Sequence, residues 1–331
     1  MKIGRPKLAI ITDGSLPRKV IRRRPLLAVS GVVPFYVTFR DPRAGRFVSR
    51  RQTEISVGEF LDIQDQAKGL PQTAQPTSED FFEEYLRIVE IRERGLLKTA
   101  YEEILVLTVP EEKSGTYNSA VNAAELLHER YPNVKVEVFD TGTAAFGVEY
   151  LAEMALAARQ VGKTLDEIVE ELERQRPNIE IVLALDTIAF LDASGRAPGV
   201  TDGPRLDAWK KRIRWVALKV ATTTARTFHR SPKAVLSFQE GEARAITWNR
   251  FFGGAVERVI SEVHDRVEGP DRKVQRIYLA HSQAEQEAAS ALQSIGRFYQ
   301  GEILERTEIP IALLSITGPK LFAAVLIYKP R

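Results

Sequence analysis

Three clusters of small polar residues punctuate the first half of the chain: Asp13-Gly14-Ser15, Ser114-Gly115-Thr116 and Asp140-Thr141-Gly142. Each trails an apolar run, and in an open α/β sheet ligands bind beyond the carboxyl ends of strands. Asp13 and Asp140 have the chemistry of an acid–base pair. They are equally well explained as caps of the helices that follow. Ser114, Gly115 and Thr116 stand just ahead of a helical stretch. Exposed backbone N–H groups there, with two hydroxyls, suit one small carboxylate or phosphate; a plain helix N-cap accounts for the same residues. His281 closes the apolar run RIYLAH and so faces the same kind of crevice, although strand-end histidines are more often structural. The other histidines, His128, His229 and His264, are too scattered for a metal motif, and His128 reads as a surface residue of the helix AAELLHER. There is no GxxxxGK[ST], no GxGxxG after the first strand and no GxSxG elbow. With no cysteine, disulfides, thiolate nucleophiles and cysteine metal sites are excluded together.

The elements that position these residues follow from periodicity. Strands are expected at 8–12, 32–39, 104–109, 134–139 and 179–185. Residues 40–53, with Pro42 and Gly45, read as a polar loop and 69–76 as an extended link. Helices are expected over 60–67, 79–94, from Thr116, and over 144–160 and 164–175. Thr77 or Ser78 would cap the second, and the last opens on the capping box Thr164-x-x-Glu167. Alternating strands and helices argue for an α/β fold, a mostly parallel sheet with helices on both faces. After Asp186 the pattern changes. A hairpin turn at 239–243 joins strands at 234–238 and 244–248. A helix at 251–267, a strand at 276–280 and a helix at 284–299 follow. Two apolar runs, 309–316 and 321–328, are split by Thr317, Gly318 and Pro319. This reads as a second α/β domain with antiparallel strands. The expected boundaries are 1–177 and 178–331.

The chain has 331 residues with 44% hydrophobic and 27% charged, ordinary for a soluble protein of one large or two medium domains. It holds no apolar run of about 18 residues and no recognisable secretory leader, so a cytoplasmic location is the default expectation. The net charge is +3. Much of the excess lies early, at Arg18, Lys19, Arg22, Arg23, Arg24, Arg40, Arg43, Arg46, Arg50 and Arg51. A solvated basic face is the plain explanation; an anionic membrane surface, touched at most transiently, or an acidic protein are the sharper ones. No nucleic-acid-reading motif accompanies the charge.

Several segments, in order, resemble the DegV family: ITDGSLP at 11–17, VPFYVTF at 33–39, PQTAQPTSEDF at 71–81, ILVLTVPEEKSGTYNSA at 104–120 and VEVFDTGTAAFG at 136–147. LDTIAFLDASGR at 185–196, KAVLSFQEGEA at 233–243 and YLAHSQAEQEA at 278–288 continue the series. The resemblance implies two α/β domains with a long-chain fatty acid held between them, the second domain covering the acyl chain. It implies a lipid carrier with no catalytic residues, metal or cofactor, which in some bacteria presents its acid to a separate ATP-dependent fatty acid kinase. By the same resemblance Ser114 bonds the carboxylate, Gly115 adds its N–H and Thr73 a second hydroxyl. Arg196 is placed near the head group and the partner surface, and Asp13, His281 and Thr317 are further candidate contacts. A loop salt bridge is the bland alternative for Arg196.

The chain departs from the family in places. The closing motif, usually H-x-G-P-G, is replaced by Ser315-Ile316-Thr317-Gly318-Pro319-Lys320, with Ile316 in the histidine's place. Lys320 is a candidate compensating cation. The early D-S-x is Asp13-Gly14-Ser15. A basic and aromatic insertion of roughly twenty residues, containing Trp209, Lys210, Lys211, Arg212, Arg214 and Trp215, follows Arg196. Burial of about 0.8 kcal/mol per CH₂ gives a C16 tail on the order of 10 kcal/mol before binding costs. Neutral hydroxyls and N–H groups suffice for the carboxylate. Two other readings stay open. One is an enzyme on a small anionic substrate, with Ser114 and Thr116 as anion binders and Asp13, Asp140 or His281 in acid–base roles. The other is a regulatory scaffold recruiting a partner through the insertion around 200–230.

Overall fold

A computed structural model describes residues 7–16, 29–66, 69–90, 101–197, 200 and 232–330. The chain divides into two compact units. The first comprises the described residues up to Phe35 together with Gln75–Asn178; the second takes Tyr36–Ala74 and Ile179–Lys329. The split into 1–177 and 178–331 therefore needs a correction, because 36–74 groups with the second unit.

The first unit is built on a four-stranded, all-parallel sheet in the order β2-β1-β6-β7. Its strands are β1 (Lys7–Asp13), β2 (Gly31–Val33), β6 (Tyr101–Thr108) and β7 (Lys135–Asp140). Both central strands are buried on each face, hence their unbroken apolar runs. Ala9, Ile11, Ile104 and Val106 meet α2 (Ser78–Glu90) and α3 (Thr116–Arg130) through Phe81, Tyr85, Ile88, Ala120 and Leu127. The alternate residues Ile10, Leu105 and Leu107 turn to the opposite face. There α4 (Phe146–Gln160) packs on β1 and β6, with α5 (Leu165–Gln175) beside it. The capping box predicted for α5 is present: Thr164 Oγ1 accepts from Glu167 N–H, and the Glu167 carboxylate accepts from Thr164 N–H.

The second unit holds a six-stranded sheet, β10-β9-β8-β13-β11-β12. Its strands are β8 (Ile179–Leu185), β9 (Lys233–Gln239), β10 (Glu242–Asn249), β11 (Val274–Ser282), β12 (Glu302–Arg306) and β13 (Leu321–Tyr328). Pairing is antiparallel except at the β11–β12 edge. Helices α7 (Phe252–Glu268) and α8 (Glu285–Phe298) cover one face with Val256, Val259, Val263, Ala288, Ala291 and Ile295. The apolar run 309–316 is mostly a helix, α9 (Ile311–Thr317), while 321–328 is the central strand β13. A separate three-stranded sheet in the order β4-β3-β5 comprises β3 (Tyr36–Arg40), β4 (Phe47–Arg51) and β5 (Gln72–Ala74).

Three local expectations change. The strand expected at 32–39 is two strands, β2 and β3, in two different sheets. Pro34, which has no N–H to give a ladder, stands at the break. The loop expected at 40–53 is a hairpin whose second strand is β4. The helix expected at 60–67 begins earlier, as α1 (Val57–Gln66), because Ser56 Oγ accepts the N–H of Glu59. No described helix is long and apolar enough to cross a membrane. The insertion around 200–230 and the early basic run at 18–24 lie outside the described residues.

Candidate functional site

In the first unit the two strand-end aspartates act on the loop that leads to Ser114. Asp13 is fully buried; Oδ2 accepts from Val109 N–H at 2.6 Å and Oδ1 from Ser15 N–H at 2.9 Å. Burial pushes its carboxyl pKa up, and the bonds from Ser15 and Val109 oppose that shift. Asp140 accepts from Glu111 N–H at 3.3 Å and Gly142 N–H at 2.8 Å. Together they hold the exit of β6 from both sides. These backbone N–H groups are partners of the two carboxylates that the sequence offers equally as an acid–base pair or as caps. A 3₁₀ turn over Glu111–Lys113 follows, and Ser114 N–H donates to Pro110 O at 3.1 Å. Ser114 Oγ lies 2.7 Å from Thr116 Oγ1, so the two hydroxyls share a proton bond and leave acceptor and donor capacity at the head of α3. Gly115 is the N-cap, with no side-chain cap bond, and a Cβ there would run into the Gln75 carboxamide. Gln75, from the same PQTAQP stretch as Thr73, is a residue the sequence reasoning passed over.

In the second unit the structure joins two residues 123 positions apart. Arg196 Nη1 donates to Thr73 Oγ1 at 2.8 Å. Thr73 sits on β5, opposite Val37 of β3. Arg196 follows α6 (Ala189–Ser194), which ends on the left-handed Gly195, φ 66°, a conformation that costs glycine nothing. The Arg196 N–H then donates to Ser194 Oγ at 3.3 Å. Burial lowers the guanidinium pKa from its ordinary value.

Helix α9, which carries Ile316 and Thr317, packs on both β5 and α6. Its amino end is tied to Gln52, whose Oε1 accepts from Ala312 N–H at 3.2 Å. Ile316 and Thr317 are half-buried, and the Thr317 hydroxyl donates back to Leu313 O at 2.9 Å. Gly318 then turns the chain at φ 89° against Phe190 of α6. Lys320 does not stand as a spare cation: its ammonium is 2.8 Å from Glu287 Oε1 and 4.6 Å from the centroid of the Phe252 ring. His281, one residue before the end of β11, is buried, and its Nδ1 has no hydrogen-bond partner among the described residues.

Sequence reasoning also missed a buried ion pair behind this region. Lys233 Nζ lies 2.8 Å from Asp186 Oδ1 and 2.7 Å from Asp186 O, with side chains 5% and 10% exposed. Asp186 N–H in turn donates to Lys320 O at 3.2 Å. The pair therefore fixes the end of β8, from which Thr187, α6 and Arg196 depart. The signal was a lysine opening the otherwise apolar KAVLSF.

The profile of an uncharacterised protein family, DegV, matches residues 7–205, more than half of the chain. The chain belongs to the DegV family. Relatives include a fatty acid-binding protein of Thermotoga maritima, 29% identical over 166 residues, 50% of this chain and 52% of that protein. A DegV domain-containing protein of Deinococcus radiodurans is 28% identical over 194 residues, 59% of this chain and 62% of that one. The chain thus aligns with about half to three-fifths of the length of these relatives. Among solved structures, that of a DegV protein from Thermus thermophilus, described for fatty acid binding, has a TM-score of 0.68 and 26% identity, covering 98% of this chain and 100% of that one. A fatty acid kinase B3 protein of Streptococcus pneumoniae, loaded with linoleic acid, has a TM-score of 0.71 at 16% identity, covering 98% and 100%; that likeness bears on the fold.

Proposed function

We propose that this DegV protein binds a long-chain fatty acid and acts as a carrier, the candidate carboxylate-binding residues being Ser114 and Gly115 in the first unit and Thr73, with Arg196 as a head-group contact, in the second. The chemistry itself falls to a separate ATP-dependent fatty acid kinase that phosphorylates the presented acid. The supporting observation is the 2.8 Å bond between Arg196 and Thr73. It supports the reading because a cation bonded to a hydroxyl of edge strand β5 has the chemistry to hold an anionic head group. The Ser114–Thr116 hydroxyl pair offers a second polar point of the same chemical kind. Relatives described as fatty acid-binding proteins give the same reading. Ile316 adds apolar surface where the family histidine would add a titratable donor, so head-group retention rests on neutral hydroxyls, backbone N–H and one arginine.

The test is organic extraction of the purified, denatured chain followed by mass spectrometry, with thermal melting in added palmitate. About one fatty acid per chain and a raised melting temperature are expected. No acyl chain together with an unmoved melting temperature would overturn the reading.

A further inference from the structure

The β3–β4 hairpin carries the sequence RDPRAGRFVSRR at 40–51, with five arginines against one aspartate, a net charge of +4. Its two faces differ. Val37 and Phe39 are buried beneath it, at 0% and 1% exposure. The cross-strand pairs Thr38–Ser49 and Arg40–Phe47 occupy the other face. At the tip, Arg40, Arg43 and Arg46 are exposed, and the Phe47 ring is 60% exposed.

The turn is fixed from inside. Asp41 Oδ1 accepts from Arg43 N–H at 2.8 Å and Ala44 N–H at 3.2 Å, its own N–H donates to Arg46 O at 2.9 Å, and its O accepts from Gly45 N–H at 2.8 Å. Gly45 takes the left-handed φ of 67° that closes the loop. The remaining charge of Asp41 faces Arg50 at 3.6 Å. The one carboxylate of the hairpin is thus engaged within it, and the exposed side chains of the tip include three arginines and one aromatic ring. The exposed Phe47 ring thus stands on the same hairpin tip as three exposed arginines, an apolar point among cations.

We infer that this hairpin is a docking finger for an anionic lipid surface. Guanidinium forks bind phosphate oxygens bidentately, and an aromatic ring flanked by cations suits the boundary between head groups and acyl chains. A narrow two-stranded tip is small against the roughly 1,000 Å² that a specific protein interface needs, whereas lipid head groups require no preformed complementary surface. The finger shares its sheet with β5, the strand that carries Thr73. The inference stands on charge and shape; its assay needs no bound acid and can succeed or fail apart from the fatty-acid reading.

The full chain would be sedimented with phosphatidylcholine vesicles, with and without about one-third phosphatidylglycerol. Wild type should partition onto the anionic vesicles alone. The triple variant Arg40→Gln, Arg43→Gln, Arg46→Gln should lose on the order of a hundredfold in partitioning, and Phe47→Ser about tenfold. Both should keep the wild-type melting temperature, because the altered side chains are exposed. In Phe47→Trp the added indole emission should shift to the blue on anionic vesicles relative to wild type. Equal partitioning of the triple variant would overturn the inference, assigning any lipid affinity to the other basic stretches. Failure of wild type to bind anionic vesicles, the outcome if the finger serves an acidic protein instead, would overturn it too, as would an unshifted indole.

Discussion

Replacing Thr73 by valine isolates the hydroxyl that the proposed head-group site depends on. The change is close to isosteric, and valine suits β5, whose ladder partner is β3. The fold should therefore survive. Thr73 Oγ1 accepts from Arg196 Nη1 at 2.8 Å, which leaves its own proton to donate to a carboxylate. A hydrogen bond to a charged group contributes about 1.5–3 kcal/mol. Arg196 is only half-buried, so water can meet the N–H that loses its acceptor. The lower end of that range applies, about 1.5 kcal/mol, or roughly a tenfold weaker Kd for palmitate. Displacement of a fluorescent fatty acid would measure it, with hexadecanol as a comparison ligand that buries the same tail without the charge. The loss should be about tenfold for the acid and small for the alcohol. An unchanged Kd for the acid, or the same loss for both ligands, would refute the reasoning, since neither outcome fits a hydroxyl aimed at a carboxylate.

Removing the ammonium of the buried pair by Lys233→Met takes this partner from the Asp186 carboxylate and should cost about 3–5 kcal/mol in urea unfolding, with partial recovery in the double variant carrying Asp186→Asn; an additive double variant would argue against direct coupling. Glu180 is a pH-linked case. Burial raises its pKa, but Arg266, Tyr328 and Ser237 outweigh burial and hold it below the usual 4.5. The stability this group contributes is present above about pH 4.5 and is lost as pH falls through the depressed value. Glu180→Gln should therefore be less stable than wild type at pH 7, with the gap narrowing below pH 4.5; a gap that is constant with pH would contradict this. Gly318→Ala places a Cβ 3.1 Å from Phe190 Cδ2 at a φ of 89°, and should lower stability by about 1–3 kcal/mol, measurable by calorimetry; a neutral result would mean the turn relaxes.

Much of the architecture was legible because long apolar runs bounded by polar residues have few alternatives. The strand 179–185 was read at its observed bounds, and the Thr164–Glu167 capping box announced α5. What escaped was polar or interrupted. β4 and β12, FVSRR and EILER, are edge strands whose charged residues look like loop. The run 32–39 spoke for one strand, and only the tertiary contacts show that its two halves serve different units. The run 309–316 gave no period that separates helix from strand over so short a length.

The candidate site was legible in parts. The hydroxyls at the start of α3 could be read from the small residues preceding a helix. The partnership of Thr73 with Arg196 spans 123 residues and no local pattern encodes it; the family resemblance named both, and the structure brings them within a hydrogen bond. For Asp13 and Asp140 the sequence leaves an acid–base pair and a capping role equally open, because a strand-end carboxylate that accepts backbone N–H groups has the same sequence signature as a general base.

The most direct test of the account follows the carboxyl carbon of isotopically enriched palmitate by NMR in the wild-type chain, in Ser114→Ala and in Thr73→Val. The account predicts one slowly exchanging bound resonance, displaced from that of free palmitate, which moves in each variant while the tail stays bound. A bound resonance indifferent to both substitutions, or none at all, would contradict it.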